Sequence, residues 1–151
     1  MKFIAIAGLI ALTASAAQAA PEEVVIATID APIPADGLEL DQFKWIARPV
    51  VVFADSPFDP AFTEQIDLLT ARMAEMIERD VVVIFDADPA ARSAIRTQLR
   101  PRGFSIVLID KEGKVNLRKP FPWDVRELSR AIDKMPQRQQ EIREKRSISP
   151  D

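Results

Sequence analysis

Two short apolar runs constrain the fold of this chain more than any other feature. Val50-Val51-Val52-Phe53-Ala54 and Val81-Val82-Val83-Ile84-Phe85 contain no polar residue. Unbroken β-branched runs of this length suit strands covered on both faces, as in the middle of a parallel sheet. Each run is followed by an Asp-Pro pair, Asp59-Pro60 and Asp88-Pro89. Aspartate is a strong helix N-cap, and proline is favoured at the first helical position. The pattern predicts two successive strand–helix units, hence parallel strands joined by right-handed crossovers.

The rest of the chain extends this layout. Phe62, Ile66, Leu69, Met73, Met76 and Ile77 fall at helical spacing, which predicts one helix from Pro60 to about Arg79. A second helix is expected from Pro89 through "AARSAIRTQL", ended by Pro101 and Gly103. "FSIVLID" (104–110) reads as a third strand and Val115 to Arg118 as a fourth. The turn "KEGK" between them is short enough to force an antiparallel pair. Asp124 opens a last helix with Val125, Leu128, Ala131, Ile132 and Met135 on one face, interrupted at Pro136. The tail "QRQQEIREKR" reads as a polar helical continuation that is a solvated extension, and "SISPD" as loose chain. Upstream, "EEVVIATI" is an edge strand or ordered arm, "DAPIPADG" a loop, and "LELDQFKWIA" a short helical turn or an irregular packing segment.

The order strand, helix, strand, helix, strand, strand, helix is an α/β class layout. It matches a thioredoxin-like mixed sheet of four to five strands flanked by helices. The hairpin argues against a flavodoxin-like sheet, which needs another crossover helix there. A length of 151 residues suits one domain. We divide it into a segment 1–19, an N-terminal arm 20–38, the domain proper at 39–136 and a polar tail at 137–151.

Residues 1–19 have the pattern of a secretory signal peptide. Lys2 is the positive start, Phe3 to Leu12 the apolar run, and Ala17-Gln18-Ala19 a small-x-small cleavage site before Ala20. The apolar run is too short to span a bilayer, so no stable membrane insertion is expected after cleavage. A periplasmic or secreted protein follows as the expectation. The chain has no cysteine, no histidine and no tyrosine. Thiolate chemistry is excluded, as is the usual proton carrier near neutral pH. A net charge of −3 gives no reason to expect a nucleic-acid partner.

Four stretches resemble the DUF4174 family. They are "LDQFKWIARPVVVFA", "ERDVVVI", "GFSIVLIDKEGKVNLRK" and "ELSRAIDKMPQRQQEIR", which cover most of residues 40–143. The last is the most distinctive, with Ile132-Asp133, Met135-Pro136, Arg138 and Glu141. The resemblance implies a thioredoxin-like domain of secreted proteins, related in fold to peroxiredoxins, for which a redox role has been suggested on that ground. Fold analogy alone is weak support for an activity. This chain departs from the thioredoxin pattern at two places. Ser56-Pro57-Phe58-Asp59-Pro60 stands where redox relatives carry cysteines, and Arg102-Gly103-Phe104-Ser105 stands at the entry to the third strand, where thioredoxins have a cis-proline.

The candidate ligand-binding residues are Asp55, Ser56, Asp59, Asp86, Asp88, Gly103 and Phe104, all placed at the carboxyl edge of the sheet. Open α/β folds bind ligands there. Clustered aspartates are also the donor type for Mg²⁺ or Ca²⁺, but no spacing matches a metal loop, and no metal or cofactor is assigned. Ser56 lacks an activating base and is not assigned a catalytic role. Arg92, Arg96 and Arg100 recur every fourth residue and read as a solvated helix face, followed by Arg102. In "KPFPW" (119–123) the aromatics are expected to be buried. The expectation is a non-catalytic exported module that binds an unidentified protein or small ligand. The alternative is a peroxiredoxin-like oxidoreductase that relies on a cofactor or partner thiols.

Overall fold

The computed structural model describes residues 29–149. The signal-peptide reading and all of "EEVVIATI" except Ile29 lie outside them. Five strands form one sheet in the order β1-β3-β2-β4-β5. They are β1 (Ile33–Pro34), β2 (Arg48–Phe53), β3 (Val81–Asp86), β4 (Ser105–Ile109) and β5 (Val115–Lys119). β1, β3 and β2 are parallel, whereas β4 and β5 are antiparallel additions beyond β2. The mixed thioredoxin-like sheet expected from the sequence is therefore present, with five strands.

The two central strands are covered on both faces, and this is why their sequences do not alternate. Val50, Val52, Val83, Ile106 and Leu108 face one core, against α1 (Pro60–Ala71), α2 (Met73–Glu78) and α4 (Val125–Asp133). Val51, Phe53, Val82, Ile84, Val107 and Ile109 face the other, against α3 (Ala94–Leu99) and the 3-10 turn Leu40–Phe43. Of the two readings of "LELDQFKWIA", the helical turn is the one present. Gln65 lies fully buried on α1 and clamps the approach to α4. Its Nε2 donates to Trp123 O at 3.0 Å, and its Oε1 accepts from Trp123 N at 2.7 Å.

Five local expectations are corrected. The first long helix is two helices, broken at Arg72, whose φ of −128° leaves the helical range. Asp88-Pro89 opens only a 3-10 turn, Pro89–Ala91, because Arg92 turns left-handed at φ 48°. α3 then starts afresh, its first turn capped by Ser93. It ends at Arg100, also left-handed, before Pro101 is reached. "DAPIPADG" is not all loop, since Ile33–Pro34 pair with Ile84 and Phe85 as an edge strand. The tail forms α5 (Pro136–Ile148), which takes in the start of "SISPD". That helix is not simply solvated, because Arg138 is buried on it.

Candidate functional site

Strand register brings the carboxyl-edge candidates together. Phe53, the last residue of β2, lies opposite Asp86 on β3 and opposite Ser105 on β4. The turn Asp55–Asp59, the segment Asp86–Asp88 and the loop Gly103-Phe104 thus leave the sheet side by side. Gly103 takes a left-handed φ of 60° to re-aim the chain into β4.

Within that edge the polar groups are engaged locally. Asp59 caps α1, accepting from Ala61 N at 2.9 Å. Ser56 Oγ accepts from Phe58 N at 3.1 Å and shapes the turn. Asp88 caps the 3-10 turn, accepting from Ala90 N at 3.1 Å. Asp55 is exposed. Phe58, at the tip of the turn, is 89% exposed and contributes nothing to the core. No group of three or more acidic side chains among the described residues is arranged to hold a metal ion.

Asp86 is different. It is buried, and its carboxylate accepts from Ser93 Oγ at 2.6 Å, from Asp88 N at 3.1 Å, and from Arg96 Nε and Nη2 at 3.1 and 3.0 Å. Burial alone would raise its pKa; the hydrogen bonds from Arg96, Ser93 and Asp88 N outweigh that and hold it below the usual carboxylate value. Arg96 Nη2 also donates to Ala54 O and Asp86 O, and the guanidinium lies 5.3 Å from the Phe53 ring centre. Arg96 therefore ties the ends of β2 and β3 together. It does not belong to a solvated arginine stripe, because Arg92 and Arg100 lie outside α3. Asp86 is a member of this internal bridge. The "KPFPW" expectation divides: Trp123 is half-buried under Lys119, while Phe121 is 54% exposed.

The opposite edge of the sheet holds a denser charge network. Arg48, at the start of β2, is fully buried. It donates to Arg79 O at 2.9 Å and to both Glu141 oxygens, at 2.9 and 3.3 Å. Lys111 Nζ reaches Glu141 and Asp80, each at 2.8 Å. Arg79 grips Asp133 through two parallel bonds of 3.0 and 2.9 Å, and Arg138 lies 3.5 Å from both Asp133 and Glu141. Burial pushes the Glu141 carboxyl up, but its bonds from Arg48 and Lys111 prevail and bring it down to about 2. The hydrogen bond to Asp133 raises Arg79 above its ordinary value. None of these residues was singled out as a site from the sequence.

The family described as a domain of unknown function, DUF4174, matches residues 39–141. The chain belongs to the DUF4174 family. No curated protein is similar to it in sequence. Among solved structures it is similar to desulfothioredoxin from Desulfovibrio vulgaris Hildenborough in its reduced form, with 18% identity and a TM-score of 0.52. That likeness covers 70% of this chain and 97% of the other. It is also similar to thioredoxin peroxidase I of Plasmodium yoelii, with 15% identity, a TM-score of 0.50, and coverage of 68% and 80%. At such identities the likeness shows the fold alone.

In this DUF4174 domain the four stretches that carry the family resemblance meet in the charge network. The first supplies Arg48, the second Arg79 and Asp80, the third Lys111, and the fourth Asp133, Arg138 and Glu141. The network sits at the amino ends of β2 and β3, across the sheet from the Asp55–Asp59 turn. Its chemistry is that of a lock: every carboxylate in it faces a cation, and α5 is fastened to the sheet through Glu141. Among the described residues no helix is long and apolar enough to cross a membrane.

Proposed function

We propose that this DUF4174 domain is an exported, non-catalytic binding module that uses the carboxyl edge of its sheet to hold a partner protein or a small ligand. The observation that carries the reading is the turn after β2. Its fold position is kept, the chain has no cysteine to place there, and the side chains of Ser56 and Asp59 serve the turn and the helix cap. The groups it offers outward are the aromatic side chain of Phe58 and the carboxylate of Asp55. Exposed aromatics beside a rigid scaffold are frequent interface anchors.

Export rests on the sequence pattern of residues 1–19, and the mature protein is expected to begin at Ala20 with a periplasmic or secreted destination. The mass of the protein recovered from outside the cytoplasm tests that start. The binding role is tested by thermal unfolding against a panel of small ligands and short peptides. A ligand at a hundred times its Kd adds about 2.7 kcal/mol, a shift of several degrees. A shift lost in Phe58→Ser or Asp55→Asn supports the reading; a shift indifferent to both contradicts the assigned edge.

A further inference from the structure

Beside the carboxyl edge, on the α3 side of the sheet, a cleft of about 420 Å³ is lined by Arg100, Arg102, Phe104, Ser105, Arg118 and Pro120. We propose that this cleft binds a tetrahedral oxyanion, such as a phosphate group, carried on a small molecule. The proposal deepens the binding-module reading and rests on it, by naming a ligand chemistry for one part of that edge.

Three observations converge. The first is charge. Three arginines line the cleft and no carboxylate does. Arg48, Arg79, Arg96 and Arg138 each face a carboxylate, whereas Arg100, Arg102 and Arg118 form no ion pair among the described residues. Like charges gathered in a cleft repel one another and concentrate a field that draws in anions.

The second is Ser105. It is 4% exposed, and its hydroxyl has no hydrogen-bond partner among the described residues. A buried hydroxyl left unpaired is costly, and a ligand oxygen at the cleft would satisfy it. Register fixes where it faces. Ser105 lies opposite Phe53 and Arg118 opposite Val107, and both Phe53 and Val107 belong to the α3-side core. Ser105 and Arg118 therefore face the same side of the sheet.

The third is preorganisation. Arg118 Nη2 is tethered to Leu99 O at 2.8 Å, which fixes the guanidinium while leaving other N–H groups for a ligand. Arg100 is held left-handed at the end of α3, its N–H bonded to Arg96 O. Guanidinium pairs bind phosphate oxygens through parallel N–H bonds. A tetrahedral dianion matches three cations and a hydroxyl better than a carboxylate, which carries one charge and two oxygens. Pro120 supplies an apolar edge for the organic part, and the volume lies in the range of small-molecule sites.

The test is calorimetric titration of the purified protein at constant ionic strength with inorganic phosphate, phenyl phosphate, inorganic sulfate and acetate. Saturable binding of phosphate or phenyl phosphate is expected, with acetate at least tenfold weaker. Tighter phosphate than sulfate marks a phosphorylated source, and the reverse marks a sulfated one; either supports an oxyanion site. Arg102→Gln and Ser105→Ala are each expected to weaken binding about tenfold, the loss of one hydrogen bond to a charged group. Ser105→Ala removes an unpaired hydroxyl, so its unfolding temperature without ligand stays level or rises. Absence of saturable oxyanion binding, equal affinity for acetate, or affinity unchanged in both variants overturns the site. That failure would leave the module reading standing if Phe58→Ser still removed another ligand; catalytic turnover by the protein would overturn the module reading and leave the oxyanion titration intact.

Discussion

The guanidinium of Arg48 is fully buried at the start of β2, and the carboxylate that neutralises it, Glu141, comes from α5, 93 residues later. Burying an ion pair is costly in itself, and replacing both partners with apolar groups can be neutral. Removing one partner is not, because it strands the other.

Glu141→Gln is therefore expected to destabilise the protein by about 3 kcal/mol, read as a lower urea midpoint. The low end of the range for buried pairs applies because Glu141 is 21% exposed and water can reach the altered site. A loss under about 0.5 kcal/mol, typical of surface changes, would show the pair to be incidental.

The same carboxylate sets an acid limit. Its pKa falls from an ordinary 4.5 to about 2 in the folded state. A folded pKa below the unfolded one means stability that is fully present above the unfolded value and lost as pH falls through the folded one. Asp86 is shifted in the same direction. Urea midpoints should stay level down to about pH 4.5 and then drop toward pH 2. In Glu141→Gln the drop should be shallower; an equal slope would place the titrating groups elsewhere.

At the opposite edge, Asp86→Asn tests whether the aspartates there form a bridge or a metal site. The variant leaves Arg96 facing a neutral amide in a buried position, and a loss of about 2–3 kcal/mol is expected. Ca²⁺ or Mg²⁺ should not stabilise the unaltered protein. Stabilisation by either ion, abolished in Asp86→Asn, would reverse this assignment.

Gln65 offers a neutral counterpart. Its amide satisfies both the N–H and the C=O of Trp123, so Gln65→Leu leaves two backbone groups unpaired. The expected loss is about 2–3 kcal/mol by chemical denaturation, even though leucine is more apolar. A stabilised Gln65→Leu protein would mean that water replaces both bonds.

The sequence makes the strands legible because a run covered on both faces cannot alternate. Two helix starts are legible too: Asp59 and Asp124 each cap the backbone two residues on, whereas Asp88 caps in the same way but opens only a 3-10 turn. What local pattern misses is decided across distance. The arginine spacing at 92, 96 and 100 assumes one continuous helix, yet two left-handed residues break it and turn Arg96 inward toward Asp86, ten residues back. The tail has almost no apolar face and reads as solvated, but its docking is ionic, through Arg138 and Glu141. Arg48 looks like the polar edge of a strand because its partners lie 31 and 93 residues away. The one signal that reached this network was the family-like clustering of Asp133, Arg138 and Glu141.

Phe58 separates stability from binding in this account. It is so exposed that Phe58→Ser should leave the unfolding midpoint within about 0.5 kcal/mol of the unaltered protein. A larger loss would mean that Phe58 packs against the domain and is not free to anchor a partner.

Whether this thioredoxin-like scaffold lacks redox chemistry of its own is decided by turnover of peroxide and of a protein disulfide by the metal-free protein, beside Ser56→Ala. Rates at the level of buffer for both proteins are expected. Turnover above buffer that Ser56→Ala abolishes would contradict the claim and place catalysis in the turn.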